Sequence, residues 1–118
     1  MRILVVEDDV SVLAYIKVLL IHAGHIVETA SNGDQAFKRY RKHGPYDLVL
    51  TDRDHPGLTG EELSERIRQV NAKQAIGFLT ADADKVAYPV LLKPFNGEDL
   101  FKFVRFVASA PPAHLHVG

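Results

Sequence analysis

Five short apolar runs, separated by stretches with helical spacing, constrain this chain more than any other feature. They occupy residues 3–6, 26–30, 48–50, 75–79 and 90–92. Each is rich in Val, Ile or Leu and has the length of a buried strand. Near-continuous apolar runs, in place of alternating ones, suit a parallel sheet covered on both faces. Between the runs, Val10, Leu13, Ile16 and Leu20 recur at helical spacing, with Gly24 as a stop. Asn32 precedes a second helical stretch through Ala36, Phe37 and Tyr40, closed by Gly44-Pro45. Thr59, with Glu62 three residues on, spells a capping box before Leu63, Ile67 and Val70. Asn96 opens a last helix through Leu100, Phe103, Val104 and Val107, which Pro111-Pro112 ends. This alternation predicts an α/β fold, a three-layer α/β/α sandwich around a five-stranded parallel sheet with right-handed crossovers.

One crossover does not fit. Twelve residues lie between Thr80 and Lys93, and the fifth strand takes several of them. The remainder is shorter than the roughly 10–12 residues that a crossover with its helix needs. A turn or a single helical turn is expected there, so the fourth helix is shortened or absent.

Composition closes off several classes of function. A chain of 118 residues is one domain. That domain is expected over residues 1–109, with residues 110–118 as a loose tail. Hydrophobic residues make up 47% and charged residues 25%, a globular and not a disordered balance. Fourteen Lys and Arg stand against 15 Asp and Glu, so there is no overall basic field for nucleic acid. The absence of cysteine excludes disulfides, zinc–thiolate sites, iron–sulfur clusters and thiol nucleophiles. No apolar run approaches the roughly 20 residues of a membrane span, and the first one is too short for a signal-peptide core. A soluble, cytoplasmic protein with neither a membrane nor a nucleic-acid partner is expected.

The acids stand where the strands end. Glu7, Asp8 and Asp9 follow the first run, and Asp52 and Asp54 follow the third. In a doubly wound sheet those two strands are neighbours, and functional groups collect at the carboxyl ends of strands. An acid there is often only a helix N-cap, which is the simplest reading of Asp9. Two acid groups at two strand ends are less easily explained so, because clustered carboxylates repel unless a cation neutralises them. Oxygen ligands favour Mg²⁺ or Mn²⁺. Thr80 follows the fourth run and Lys93 the fifth. A hydroxyl and an ammonium beside a metal–carboxylate cluster suit a phosphoryl group. Asp52 is placed to act as its nucleophile, giving an acyl phosphate.

Taken in order, Ile3-Leu4-Val5-Val6-Glu7-Asp8-Asp9, Asp47-Leu48-Val49-Leu50-Thr51-Asp52, Pro56-Gly57-Leu58-Thr59-Gly60, Thr80-Ala81 and Lys93-Pro94-Phe95 resemble the receiver domain of bacterial two-component response regulators. The resemblance implies a flavodoxin-like topology with Asp52 as phosphoacceptor. It implies Mg²⁺ (or Mn²⁺) held by Glu7, Asp8, Asp52 and the backbone carbonyl of Asp54. Thr80 matches the switch hydroxyl and Lys93 the lysine that pairs with the phosphoryl group. The donor implied is a histidine kinase, a phosphotransfer protein or a small phosphodonor. Such a chain catalyses only its own phosphorylation and dephosphorylation, and as a single-domain regulator signals by binding a downstream protein or relaying phosphate.

Three departures from that pattern stand out. The segment after Thr80 is short. Val90 stands where the family often has an aromatic switch residue, with Tyr88 two residues earlier on the same strand face. His55 stands in a usually apolar place, and Asp54 adds an acid beside Asp52.

Two further features invite a bland and a sharper reading. Lys38, Arg39, Arg41 and Lys42 read as a solvated helix face, and His114 and His116 as tail residues without a site. On the last helix, Leu100, Phe101, Phe103, Val104, Phe106, Val107 and Ala108 span an arc of about 220°, against a usual stripe of about 100°. That helix is either tucked deeply, or it offers Phe101, Val104, Phe106 and Ala108 to a partner or a second copy across a region the missing helix uncovers. Two rival functions remain open from the residues alone, a metal-dependent phosphohydrolase-like enzyme and a degenerate receiver that binds partners without phosphate.

Overall fold

A computed structural model describes residues 1–109; the expected tail, with Pro111-Pro112, His114 and His116, lies outside the described residues. The elements run β1 (Arg2–Val6), α1 (Val10–His22), β2 (Ile26–Ala30), α2 (Gly33–His43), β3 (Leu48–Thr51), α3 (Gly60–Val70), β4 (Ile76–Thr80), β5 (Val90–Leu92) and α4 (Gly97–Ser109). All strands are parallel, in the order β2-β1-β3-β4-β5. The flavodoxin-like three-layer sandwich and the absence of a helix between β4 and β5 both hold, within the described residues.

Side chains leave each strand alternately to the two faces, and two cores result. Ile3, Val5, Leu48, Leu50 and Leu79 face α1 and α4, meeting Ile16, Leu20, Leu100, Phe103, Val104 and Val107. Leu4, Val6, Val49, Ile76 and Phe78 face α2 and α3, meeting Ala36, Tyr40, Leu63 and Ile67. Tyr46 also joins this second core.

Each helix starts where a short polar side chain replaces the missing intrahelical acceptor. Asp9 accepts from the Ser11 and Val12 amides at 2.9 and 3.1 Å, so its role is the plain cap. Asn32 accepts from Gln35 at 2.8 Å and Asn96 from Asp99 at 2.8 Å. The capping box is complete: Glu62 N–H donates to the Thr59 hydroxyl at 3.2 Å, and Thr59 N–H to the Glu62 carboxylate at 2.9 Å. Thr59→Ala removes that acceptor and is expected to cost about 1 kcal/mol, read from urea unfolding. The α1 helix ends with Gly24 at φ 95°, a left-handed position where only glycine sits without strain.

A buried amide ties the second core to the loop before β4. Gln74 Oε1 accepts from the Tyr40 hydroxyl at 2.6 Å and the Tyr46 amide at 3.1 Å. Its Nε2 donates to the carbonyls of Tyr46 at 2.8 Å and Ala75 at 3.0 Å.

The structure corrects the reading of the last helix. Val104 is buried with Leu100, Phe103 and Val107, so the broad apolar arc is mostly core. Phe101 and Ala108 are half-buried, and Phe106 alone of the proposed strip is well exposed. The short segment after Thr80 lies on the opposite side of the sheet from α4. Its Val86 and Tyr88, with Val90 of β5, pack against the α2/α3 core, and so its brevity does not uncover α4. Tyr88 stacks on Phe78 with centroids 5.4 Å apart, under the Arg68 guanidinium.

Candidate functional site

The central position of β1 and β3 brings the acids together. Val6 pairs with Thr51, so the residues that follow emerge side by side. The Asp52 amide donates to the Val6 carbonyl at 3.0 Å, and the Glu7 amide to Ala30 at 3.1 Å. Glu7, Asp8 and Asp52 each bring one carboxylate oxygen within 4.8 Å of the others. Asp54 is exposed, and its carboxylate is not part of that group.

The Lys93 ammonium reaches into this group from the end of β5. It donates to Glu7 Oε1 at 2.7 Å and to Asp52 Oδ2 at 3.0 Å. Burial pushes the Glu7 carboxyl above its usual range; Lys93 and the Asp9 amide pull against this, while the charge of Asp52 adds to it. Burial alone would depress the Lys93 ammonium, but its hydrogen bonds to Glu7 and Asp52 outweigh that and hold it above the ordinary lysine range. Three carboxylates against one ammonium leave an excess of negative charge in a half-buried place. An all-oxygen donor set with uncompensated charge fits a hard divalent cation. Glu7, Asp8 and Asp52 are the residues able to hold it.

The backbone of Asp52 is held as firmly as its side chain. Its Oδ1 accepts from the Arg53 amide at 2.6 Å. Its carbonyl accepts from the Thr51 hydroxyl at 2.8 Å. With that proton committed, His55 Nε2, 3.0 Å from the same hydroxyl, is the donor to it. His55 is therefore a buried polar partner in the place expected to be apolar, and its Nδ1 is buried without a partner. Gly60 closes the other side: a Cβ there would collide with the Asp52 carbonyl and come within 2.9 Å of the Phe78 ring.

Thr80 is buried at the end of β4, beside the Lys93 backbone, whose amide donates to the Thr80 carbonyl at 3.0 Å. Its hydroxyl accepts from the Asp82 amide at 3.3 Å. Arg53, absent from the sequence reading, bridges the same region. It donates to Glu61 at 2.8 Å and to the Asp82 carbonyl at 3.2 Å, tying the Asp52 loop to the segment that replaces the missing helix. Nothing in the spacing of Arg53 announces this, because its partners lie on two other elements.

The family model described as "Response regulator receiver domain" matches residues 3–105. The chain belongs to this family. Among related proteins, this receiver domain is 37% identical over 114 residues to the transcriptional regulatory protein DltR of Streptococcus agalactiae, covering 89% of the chain and 50% of DltR. It is 33% identical over 120 residues to the transcriptional regulatory protein TcrA of Mycobacterium tuberculosis, covering 94% of the chain and 47% of TcrA. The chain thus spans about half the length of these relatives. Among solved structures, the receiver matches the chemotaxis protein CheY4 of Vibrio cholerae with a TM-score of 0.83 and 29% identity, over 90% of this chain and 97% of that one. It matches the response regulator TrrA of Thermotoga maritima, solved in complex with Mg²⁺-BeF, with a TM-score of 0.82 and 33% identity, over 90% and 97% of the two chains.

Proposed function

We propose that this receiver accepts a phosphoryl group on Asp52 from the phosphohistidine of a histidine kinase or phosphotransfer protein, or from a small phosphodonor. The observation that carries the reading is the Lys93 ammonium, shared between Asp52 and Glu7 at 3.0 and 2.7 Å beside a third carboxylate. An Asp52 carboxylate oxygen attacks phosphorus and forms a P–O bond. The P–N bond to the donor imidazole, or the P–O bond of an acyl phosphate, breaks, and the leaving group keeps the electron pair. Lys93 offsets the charge that Asp52 gains, at a distance suited to a charge-assisted hydrogen bond. The Arg53 amide keeps the second carboxylate oxygen turned away. Mg²⁺ or Mn²⁺ on Glu7, Asp8, Asp52 and the Asp54 carbonyl would neutralise the phosphoryl oxygens. Thr80 supplies a hydroxyl to the phosphoryl group on giving up Asp82, which biases a two-state equilibrium read by a downstream protein. The reaction is the domain's own phosphorylation and dephosphorylation, not turnover of an external substrate. No helix among the described residues is long and apolar enough to cross a membrane, and we place the chain in the cytoplasm.

Intact mass after incubation with acetyl phosphate and Mg²⁺ tests this reading. Wild type is expected to gain about 80 Da, one phosphoryl group from its composition, and Asp52→Asn nothing. An equal gain in both would move the acceptor elsewhere. No gain in wild type would favour phosphate-independent binding, and turnover of an external phosphate ester a hydrolase.

A further inference from the structure

Each polar group of Asp52 has a partner, and one of those partners leads away from the acid cluster. The Asp52 amide donates to Val6 of β1 at 3.0 Å. Its Oδ2 accepts from Lys93 at 3.0 Å and its Oδ1 from the Arg53 amide at 2.6 Å. Its carbonyl takes no backbone donor among the described residues and accepts from the Thr51 hydroxyl at 2.8 Å. The Asp52 carbonyl and the Arg53 N–H belong to one planar peptide unit. Thr51 holds one edge of that plane, and the other edge holds Oδ1 of the carboxylate. Turning the plane breaks both bonds at once.

The hydroxyl that fixes the plane is itself held. Thr51 ends β3 fully buried, with His55 Nε2 3.0 Å from its Oγ1. A hydroxyl carries one proton and swings among three staggered positions. A donor at Nε2 takes up a lone pair and leaves that proton directed at the Asp52 carbonyl. His55 is aimed inward by its place in the chain. It precedes Pro56, which restricts its backbone to extended forms, and the Pro56 carbonyl accepts from the Gly33 amide of α2 at 3.3 Å. The ring is buried, and its Nδ1 has no partner among the described residues. A bare buried nitrogen costs free energy that an apolar side chain of the same volume would not. Filling space therefore does not account for a histidine here, whereas its single hydrogen bond, to Thr51, does.

We propose that His55 and Thr51 are positioning residues for Asp52. A relay from His55 Nε2–H through the Thr51 hydroxyl to the Asp52 carbonyl sets the peptide plane that occupies Oδ1 and leaves Oδ2, beside Lys93, to the phosphoryl group. Neither residue touches the reacting atoms. The proposal rests on Asp52 as the phosphoacceptor, but the orientation of the plane can be read without phosphoryl transfer.

Two measurements on the full chain test it. The first is the rate of mass gain from acetyl phosphate at saturating Mg²⁺, taken where urea titration shows each variant to be folded. Thr51→Val keeps the shape without the hydroxyl and is expected to slow phosphorylation about tenfold, which is about 1.4 kcal/mol, the scale of one hydrogen bond. His55→Leu frees the hydroxyl rotor and is expected to slow it about threefold, one position in three. The double variant is expected to match Thr51→Val, not the product of about thirtyfold, because His55 acts only through Thr51. Thr51→Ser keeps the hydroxyl and His55→Gln a donor near the Nε2 position, so both are expected to stay near the wild-type rate. A pair that only filled space would lower stability without this pattern in the rates. Valine and leucine variants as fast as wild type overturn the proposal, and so does a double variant slowed by the full product.

The second measurement is the Arg53 amide in ¹H–¹⁵N NMR spectra. In a short bond to a carboxylate its proton is expected downfield and slow to exchange in wild type, Thr51→Ser and His55→Gln. It is expected to move upfield and exchange faster in Thr51→Val and His55→Leu. An Arg53 amide unmoved by either change overturns the relay whatever the rates. A wild type that gains no phosphoryl group while the amide follows this pattern overturns the phosphoacceptor reading and supports the relay as the device that orients the carboxylate.

Discussion

Lys93→Met is expected to lower the unfolding free energy by about 3 kcal/mol near pH 7, since it strips the counter-ion from two largely buried carboxylates. Among the described residues, the ammonium is the one group that hydrogen-bonds both Glu7 and Asp52. Methionine keeps most of the stem volume, so the loss reports charge and not a cavity. The pH dependence identifies the cause. Glu7 has a carboxyl raised by burial, so the fold binds its proton more tightly than the unfolded chain does. Its contribution is fully present below the ordinary glutamate range and is lost as pH rises through the raised value. Lys93 is also raised, so its contribution persists through neutral pH and is lost only as pH rises through its own raised range. Without Lys93, Glu7 is raised further. The deficit of the variant is therefore small in acid, where Glu7 carries a proton, and widens towards neutrality. Urea titrations of both proteins at pH 4.5 and 7 measure it, with an unchanged slope showing that the unfolded state is not the source. A deficit independent of pH would mean that the lysine acts through packing.

Phe78→Ala is expected to cost about 3–5 kcal/mol, the largest single loss in the domain. The ring is fully buried and belongs to the α2/α3 core. It is also the floor of two features near the site. Tyr88 stacks on it at an interplanar angle of 14°, and Gly60 approaches it closely from the start of α3. Deleting the ring therefore opens a cavity beneath both the segment after Thr80 and the loop that holds Asp52. Phe78→Leu, which retains most of the volume, is expected to recover more than half of the loss. Thermal and urea midpoints of the two variants, compared with wild type, check the order.

The strands, caps and acid cluster were legible because each depends on residues adjacent in the chain. Asp9, Asn32, Thr59 and Asn96 all cap the helices they precede. Glu7, Asp8 and Asp52 meet because β1 and β3 pair, which follows once the sheet is recognised as doubly wound. What stayed hidden depends on which side of an element faces inward. On α1 the helical spacing of Val10, Leu13, Ile16 and Leu20 marks the inner face at Ile16 and Leu20 but not at Val10, which is 80% exposed, because apolar residues continue round the helix at Val12, Val18, Leu19 and Ile21. The same ambiguity made Val104 of α4 look available when it is core. Gln74 is a neutral polar residue in a loop, and nothing local marks it as the amide that satisfies Tyr40 and Tyr46. The polar pair of Thr51 and His55 is visible in sequence only as a histidine in an apolar place.

The short connection between β4 and β5 has a consequence for the order in which the domain comes apart. At three residues, β5 is the shortest strand, and it sits at the sheet edge with β4 as its one partner. No helix among residues 81–89 braces it from the α3 side. Opening free energy scales with buried contacts and protected amides, so β5 belongs to the least protected cooperative unit of the fold. Lys93 is the residue that β5 delivers, whereas the three clustered acids ride on the two central strands. A local unfolding event at the edge thus withdraws the ammonium and leaves the acids standing, so what charge compensation the cluster has is a property of the least durable part of the sheet.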